Sequence, residues 1–353
     1  MFKKIQLFLS IAAIGTFAAC SDDDDNGNGN GNGNGNGNGD ANFVYILNEG
    51  NFSQGNASVT QLQEGSNEVT EEYFMEVNDF SLGDVGQSMF EYNGLIYIVV
   101  NNSDKIEVVN ADDFSSVATI DNIRQPRYMA FVNDDMAYVS QFFGNGVSQV
   151  NLNSFTVSEQ IELGGNNDEL AYVNDKIWVT NTERPYLYQI DPATAELVDS
   201  TELPNVSSSV IEDFDGDLWV LTRPAFDEDF NPVGEGGLHH INPANGEIRM
   251  SYPIAEGSPG QLRSGGGVQM YFLNSGVHTF NINNPEMENS LLFEQNSGEN
   301  FYGLGVHPDG RVFVGDAKDF ALKGEVLIFE PMEGEIDRFE SGMVPKYFLF
   351  KNN

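Results

Sequence analysis

AYVSQ at residues 137–141, IWVTN at 177–181 and LWVLT at 218–222 are short apolar runs, each with one aromatic residue in second place. The plan recurs on both sides: VYILN (44–48), IYIVV (96–100), MYFLN (270–274) and VFVGD (312–316). The seven aromatics are Tyr45, Tyr97, Tyr138, Trp178, Trp219, Tyr271 and Phe313, separated by 52, 41, 40, 41, 52 and 42 residues. Aromatic and β-branched residues suit a half-buried pleated surface, so each run reads as a strand. A period of about 40–45 residues built from several short strands predicts the blades of a β-propeller. A β-sandwich would need seven aromatics to fall into register by coincidence.

Each unit reads as four strands. Asn93-Gly94, Asn133-Asp134, Asn174-Asp175, Asp215-Gly216 and Asp309-Gly310 separate the first strand from the aromatic-bearing second, and these residues tolerate the positive φ of a tight hairpin. Third strands follow, among them KIEVVN (105–110), YLYQID (186–191) and EVLIFE (325–330). The first unit lacks an inner strand, because FVYILN (43–48) comes directly off a low-complexity stretch. The chain's last segment supplies it: PKYFLFKNN (345–353) matches PRYMAFVND (126–134), an inner strand followed by its own aromatic strand. The expectation is an all-β fold, a seven-bladed propeller of four-stranded blades over 43–353. The C-terminal strand joins the N-terminal blade and closes the ring, which removes open sheet edges.

Residues 1–19 carry two lysines, an apolar stretch and a small-residue end, the pattern of a secretory signal too short to span a bilayer. Cys20 is the only cysteine, so no disulfide forms within the chain. Its position after Phe17-Ala18-Ala19 resembles a bacterial lipobox, which implies lipidation of Cys20 and a stable multi-chain anchor. Ser21, Asp22, Asp23, Asp24 and Asp25 follow at once and resemble the export signal of Bacteroidota lipoproteins bound for the cell surface. Seven Asn-Gly pairs (26–39) then form a tether within residues 26–42 that has no means of burying a core. Its reach is roughly 20 Å.

Sixteen Lys and Arg face 54 Asp and Glu, a formal charge of −38 that repels phosphate backbones and makes nucleic acid a poor partner. The scarce cations nevertheless gather on one expected face, where loops join second to third strands and blade to blade. Lys105, Arg124, Arg127, Arg184, Arg223, Arg263, Lys318, Lys323 and Lys346 lie there, nine of the fourteen left once Lys3 and Lys4 depart with the signal. Arg127 and Lys346 head their inner strands, next to the central funnel. The same loops carry Phe52, Phe80, Phe142, Phe143, Tyr186, Phe226, Phe230, Phe301, Tyr302 and Phe320. Cations beside flat apolar rings suit a bulky ligand with an apolar plane and peripheral amides, carboxylates or phosphate. The candidate ligand-binding residues are Arg124, Arg127, Phe142, Phe143, Arg184, Tyr186, Arg223, Arg263, Tyr302 and Lys346. The competing account is that these cations bridge neighbouring acids. The long insertion from Arg223 to Gly236 is placed to overhang the funnel as a lid.

No catalytic residue or cofactor is assigned. His239 and His240 are strand neighbours pointing to opposite faces, so they do not chelate one metal together. Neither a G-x-S-x-G elbow nor a P-loop occurs. Glu, Asn and Asp are plentiful enough for the axial calcium of a sugar-lactonase propeller, which keeps a lactonase-like enzyme as an alternative. Asp199-Ser200-Thr201 resembles an O-glycosylation acceptor.

ILNEGNFSQGNASVTQL (46–62) with GDVGQSMFEYNGLIYIVVNNSDKIEVVN (83–110) resembles the YncE-like surface propellers of Bacteroidota, among them the BtuG-type lipoproteins. The resemblance implies seven blades, capture of cobalamin or another corrinoid outside the cell, and docking on a TonB-dependent outer-membrane transporter. No ligand-reading motif in those stretches carries a single contact across. The alternative within the same fold is a non-catalytic surface module that binds a protein or glycan.

Overall fold

The computed structural model describes residues 42–351 except 145, 230, 286, 288 and 289. The signal sequence, Cys20, the acidic residues 21–25, the tether up to residue 41, and Phe230 lie outside the described residues. Seven four-stranded antiparallel sheets form a β-propeller. The inner strands, from blade 1 to blade 7, are Pro345–Lys351, Gly86–Tyr92, Pro126–Asn133, Asn167–Val173, Val206–Glu212, Gly260–Ser264 and Phe301–Val306. Blade 1 is completed by the C-terminal strand as expected: Val44 lies opposite Phe350 and Ile46 opposite Phe348. Gly303 lets blade 7 press against that closing strand, since a Cβ there would sit 2.6 Å from the Lys346 carbonyl oxygen.

All seven repeat aromatics are buried, none more than 6 % exposed, and each belongs to a different apolar cluster. Every cluster straddles two blades. Tyr97 of blade 2 packs with Met129 of blade 3, Trp178 of blade 4 with Val210 of blade 5, and Phe313 of blade 7 with Val44 of blade 1. One large ring per blade is therefore the wedge that fills each interface, which explains the period. Buried polar tips are satisfied: the Trp219 indole N–H donates to Asp213 Oδ2 at 2.8 Å and the Trp178 indole to the Val173 carbonyl at 3.2 Å.

Two of the five expected hairpin turns, Asn93-Gly94 and Asn174-Asp175, have positive φ at both residues. The turn at 213–217 is instead held by a side chain, with Asp213 Oδ1 accepting from the Asp215 and Asp217 amides. A short helix, Tyr73–Asn78, was not expected; it buries Phe74 where blade 1 passes to blade 2. Among the described residues no helix is long and apolar enough to cross a membrane. Asp199, Ser200 and Thr201 lie on the outer strand of blade 4, Glu196–Glu202.

Candidate functional site

At the head of every inner strand the pairing with its neighbour slips. The residues left without a partner are Lys346, Gln87, Arg127 with Tyr128, Asp168 with Glu169, Ser208, Gln261 with Leu262, and Tyr302. A bulge re-aims a side chain and bends its strand. Seven bulges at one level therefore set a ring of side chains around the propeller axis, one per blade.

The ring is wired blade to blade. Arg127 grips Asp168 with Nε at 2.9 Å and Nη2 at 3.2 Å, and its Nη1 donates to Gln87 Oε1 at 2.6 Å. Lys346 donates to the same Gln87 oxygen at 3.0 Å and pairs with Glu49, which also accepts from the Tyr302 hydroxyl at 3.0 Å. Deeper along the axis, Arg263 of blade 6 reaches Glu169 of blade 4 at 3.0 Å and lies 5.6 Å from the Tyr347 ring of blade 1. Phe142 covers the Arg127 guanidinium at 4.8 Å.

Burial pulls the pKa of Arg127 and Arg263 down, but the charges of Asp168 and Glu169 outweigh it and hold both guanidiniums above their ordinary range. Lys346 goes the other way. Burial is the larger effect and the nearby Arg127 charge adds to it, so its pKa falls despite Glu49. Burial and Glu49 together push Tyr302 up, leaving it a neutral donor.

A cavity of about 260 Å³ opens onto this ring, lined by Arg127, Asp168, Ser208, Arg223, Gln261, Tyr302 and Lys346 among others. Four predicted residues, Arg127, Arg223, Tyr302 and Lys346, thus converge. Arg263 does not line it; it meets Glu169 from a separate cavity of about 170 Å³ shared with Tyr347 and Phe348. Phe143 is exposed and packs edge-on to Phe142 at 4.8 Å. Arg124, Arg184 and Tyr186 are exposed and do not line the cavity.

Two expectations are corrected. The funnel is not a free basic surface: Arg127, Arg263 and Lys346 are paired with carboxylates, as are Lys105, Lys318 and Lys323. Asp168 and Glu169 reach Arg127 and Arg263 from another blade, whereas Glu49, Glu107 and Glu325 belong to the same blade as their cations. Nor does the 223–236 insertion form a lid over the cavity. It folds into a small ribbon, Ala225–Phe226 against Pro232–Val233, pinned by Asn205, and among its described residues only Arg223 lines the cavity. Arg223 is half-buried there and makes no ion pair among the described residues. Asp168, Glu169, Glu49, Gln87, Ser208 and Gln261 were missed. The available signal was the dipeptide Gly-Gln, which heads two inner strands at 86–87 and 260–261.

The histidines are occupied elsewhere. His239 is bonded to Thr222 Oγ1 and Ser251 Oγ, both at 2.9 Å, and its neighbour His240 stacks on Trp219 and pairs with Asp217. No group of three or more His, Cys, Asp or Glu capable of holding a metal occurs among the described residues. Burial lowers the His239 pKa to about 4. The folded state therefore binds fewer protons than the unfolded chain between pH 4 and 6.5, and stability is lost as pH falls through that window. This one group costs about 3 kcal/mol by pH 4. In urea titrations, His239→Gln is expected to remove that part of the acid sensitivity. Parallel pH profiles for both proteins would show that His239 takes no part.

The fold is shared with solved propellers of low identity. A quinonprotein alcohol dehydrogenase-like protein from Bacteroides thetaiotaomicron is 14% identical with a TM-score of 0.64, covering 88% of this chain and 78% of that one. A protein from Lactobacillus plantarum is 10% identical at 0.65, covering 88% and 100%. The periplasmic gluconolactonase of Pseudomonas aeruginosa is 13% identical at 0.62, covering 87% and 99%. These likenesses show the fold alone. No curated protein matches the chain. Residues 42–252, more than half of the sequence and blades 1 to 5 of the ring apart from the closing strand Pro345–Lys351, match the domain of unknown function DUF5074. The chain is therefore a β-propeller that belongs to the DUF5074 family.

Proposed function

We propose that this protein is a non-catalytic binder, held at the outer face of the outer membrane by lipid on Cys20, that captures a small-molecule nutrient at the funnel and passes it to a TonB-dependent transporter. Arg223 carries the reading: a half-buried cation lining a polar cavity without a carboxylate of its own. Around it the other charges are spent on one another, so Arg223 offers the unspent attraction for a carboxylate, phosphate or carbonyl. Asp168, Glu49 and Glu169 are each held by a separate cation, which disfavours their service as a free base or as a joint calcium site.

A corrinoid is the finer form of this proposal, resting on the resemblance of residues 46–62 and 83–110. Such a ligand exceeds a 260 Å³ cavity and would lie across the aromatic mouth, with one peripheral amide or phosphate reaching inward. A protein- or glycan-binding rim is the second reading, favoured by the exposed Phe52, Phe143 and Phe320 and by Phe226 of the small ribbon. Calorimetric titration of residues 41–353 with cyanocobalamin and cobinamide separates them. Stoichiometric binding that weakens at least tenfold in Arg223→Gln is expected, the loss of one charged hydrogen bond. Absence of heat and of any thermal shift would remove the corrinoid, and the rim reading would stand above it.

A further inference from the structure

A second cavity, about 610 Å³, lies beside the funnel where the outer strand of blade 5 faces blade 6. Pro253, Ile254, Phe272 and Leu291 give it apolar walls. It shares Asn274 and Ser275 with the funnel cavity, so both spaces border the turn between the second and third strands of blade 6. That turn is firmly built: the Asn274 amide donates to the Gly276 carbonyl at 2.9 Å, and Ser275 sits at φ 53°.

At the junction one polar atom is unanswered. The Asn274 side-chain nitrogen donates to the Glu256 carbonyl at 3.0 Å, which fixes the orientation of the amide. Its Oδ1 is buried and accepts from nothing. Gly257 closes over this oxygen, so a ligand N–H or O–H meets it once the Asn274 amide turns toward the cavity, and the buried acceptor then gains the donor it lacks. The imidazole on the apolar side, His278, is occupied. His278 stacks on Phe272 at 5.0 Å and is bonded to Ser290 Oγ and the Asn274 carbonyl, and burial lowers its pKa.

We infer that the two cavities are one site for an amphiphile: a carboxylate at Arg223, an amide N–H or hydroxyl donating to Asn274 Oδ1, and an apolar body between blades 5 and 6. This rests on the funnel being a ligand site, as proposed above. Together the spaces fall in the range that encloses most of a drug-sized molecule, about 300–1,000 Å³, which the funnel alone does not reach. Each methylene carried into the groove contributes about 0.8 kcal/mol, near fourfold in affinity.

The test is calorimetry on the full chain carrying Cys20→Ser, with N-octanoylglycine, N-acetylglycine, octanoate and N-octanoylglycinamide as probes. N-octanoylglycine is expected to bind at least tenfold tighter than each of the others. The exposed groove residue tested by Leu291→Glu should weaken N-octanoylglycine tenfold while leaving N-acetylglycine unchanged. If N-acetylglycine binds as tightly as N-octanoylglycine and loses affinity in Arg223→Gln, the groove is not part of the site: the amphiphile inference fails and the polar funnel stands. If no probe binds, the amphiphile inference fails, and the funnel reading is decided separately by the corrinoid titration and its Arg223→Gln control. The probe series on otherwise unaltered chain decides the matter whether or not a variant folds.

Discussion

Ending the chain at Val344 is expected to abolish the cooperative unfolding transition. The lost segment is the whole inner strand of blade 1, whose register with Phe43–Asn48 runs from Lys351 opposite Phe43 to Pro345 opposite Asn48. Without it, Val44 and Ile46 lose their cover on the axis side, and Phe313 of blade 7 loses Phe348 and Phe350, now 6.0 and 5.2 Å from its ring centre. Blade 1 would also present a bare strand edge, a template for association with other chains. The ring has no other closure, so the damage reaches two blade interfaces at once. Thermal unfolding and size-exclusion chromatography of the truncated chain are expected to show no sharp melt and a shift to aggregates. A circular permutant supplies the control. Moving 345–351 ahead of Phe43, joined by an Asn-Gly turn like that at 93–94, should restore a melt within a few degrees of the parent. A truncated chain that melts sharply would mean that the ring closes without its C-terminal strand.

The fold was legible because one physical demand repeats. Each interface needs a large ring in mid-strand, and that residue returns at every blade. Closure was legible for a related reason: Pro345-Lys346-Tyr347 repeats Pro126-Arg127-Tyr128, and both are heads of inner strands. The site was half legible. Counting cations and aromatic rings on a face identified Arg127, Arg223, Tyr302 and Lys346 as neighbours, but could not count the acids that face them. Asp168 lies 41 residues from Arg127 and Glu169 lies 94 from Arg263, each on another blade. A bulge adds a residue to a strand without any composition of its own, so the seven slips that build the ring left almost no trace. The insertion after Arg223 looked like a lid because length alone does not reveal that Asn205 will tie its backbone down.

Arg127→Met is expected to destabilise the protein by about 3 kcal/mol, within the range of 3–5 found when one partner of a buried ion pair is removed. The side chains of Arg127 and Asp168 are 18% and 12% exposed, which places the effect at the lower end. Asp168 would then be left largely buried with its bidentate partner gone, and Gln87 Oε1 would lose one of its two donors. Asp168→Asn alone should cost a similar amount by stranding the guanidinium. The double variant Arg127→Met with Asp168→Leu removes both charges and should recover most of the loss, since two well-packed apolar side chains carry no desolvation debt. Urea titration of the four proteins gives the coupling free energy directly. Lys346 supplies a second readout, because the Arg127 charge is one of the causes that lower its pKa. Neutralising Arg127 should move Lys346 back toward the ordinary lysine range, visible in the pH dependence of its reaction with an amine-specific reagent. If instead Arg127→Met costs under 1 kcal/mol and leaves Lys346 unmoved, the pair is not what holds the ring. Arg127 would then be free to turn toward a ligand, and the attraction in the funnel would no longer belong to Arg223 alone.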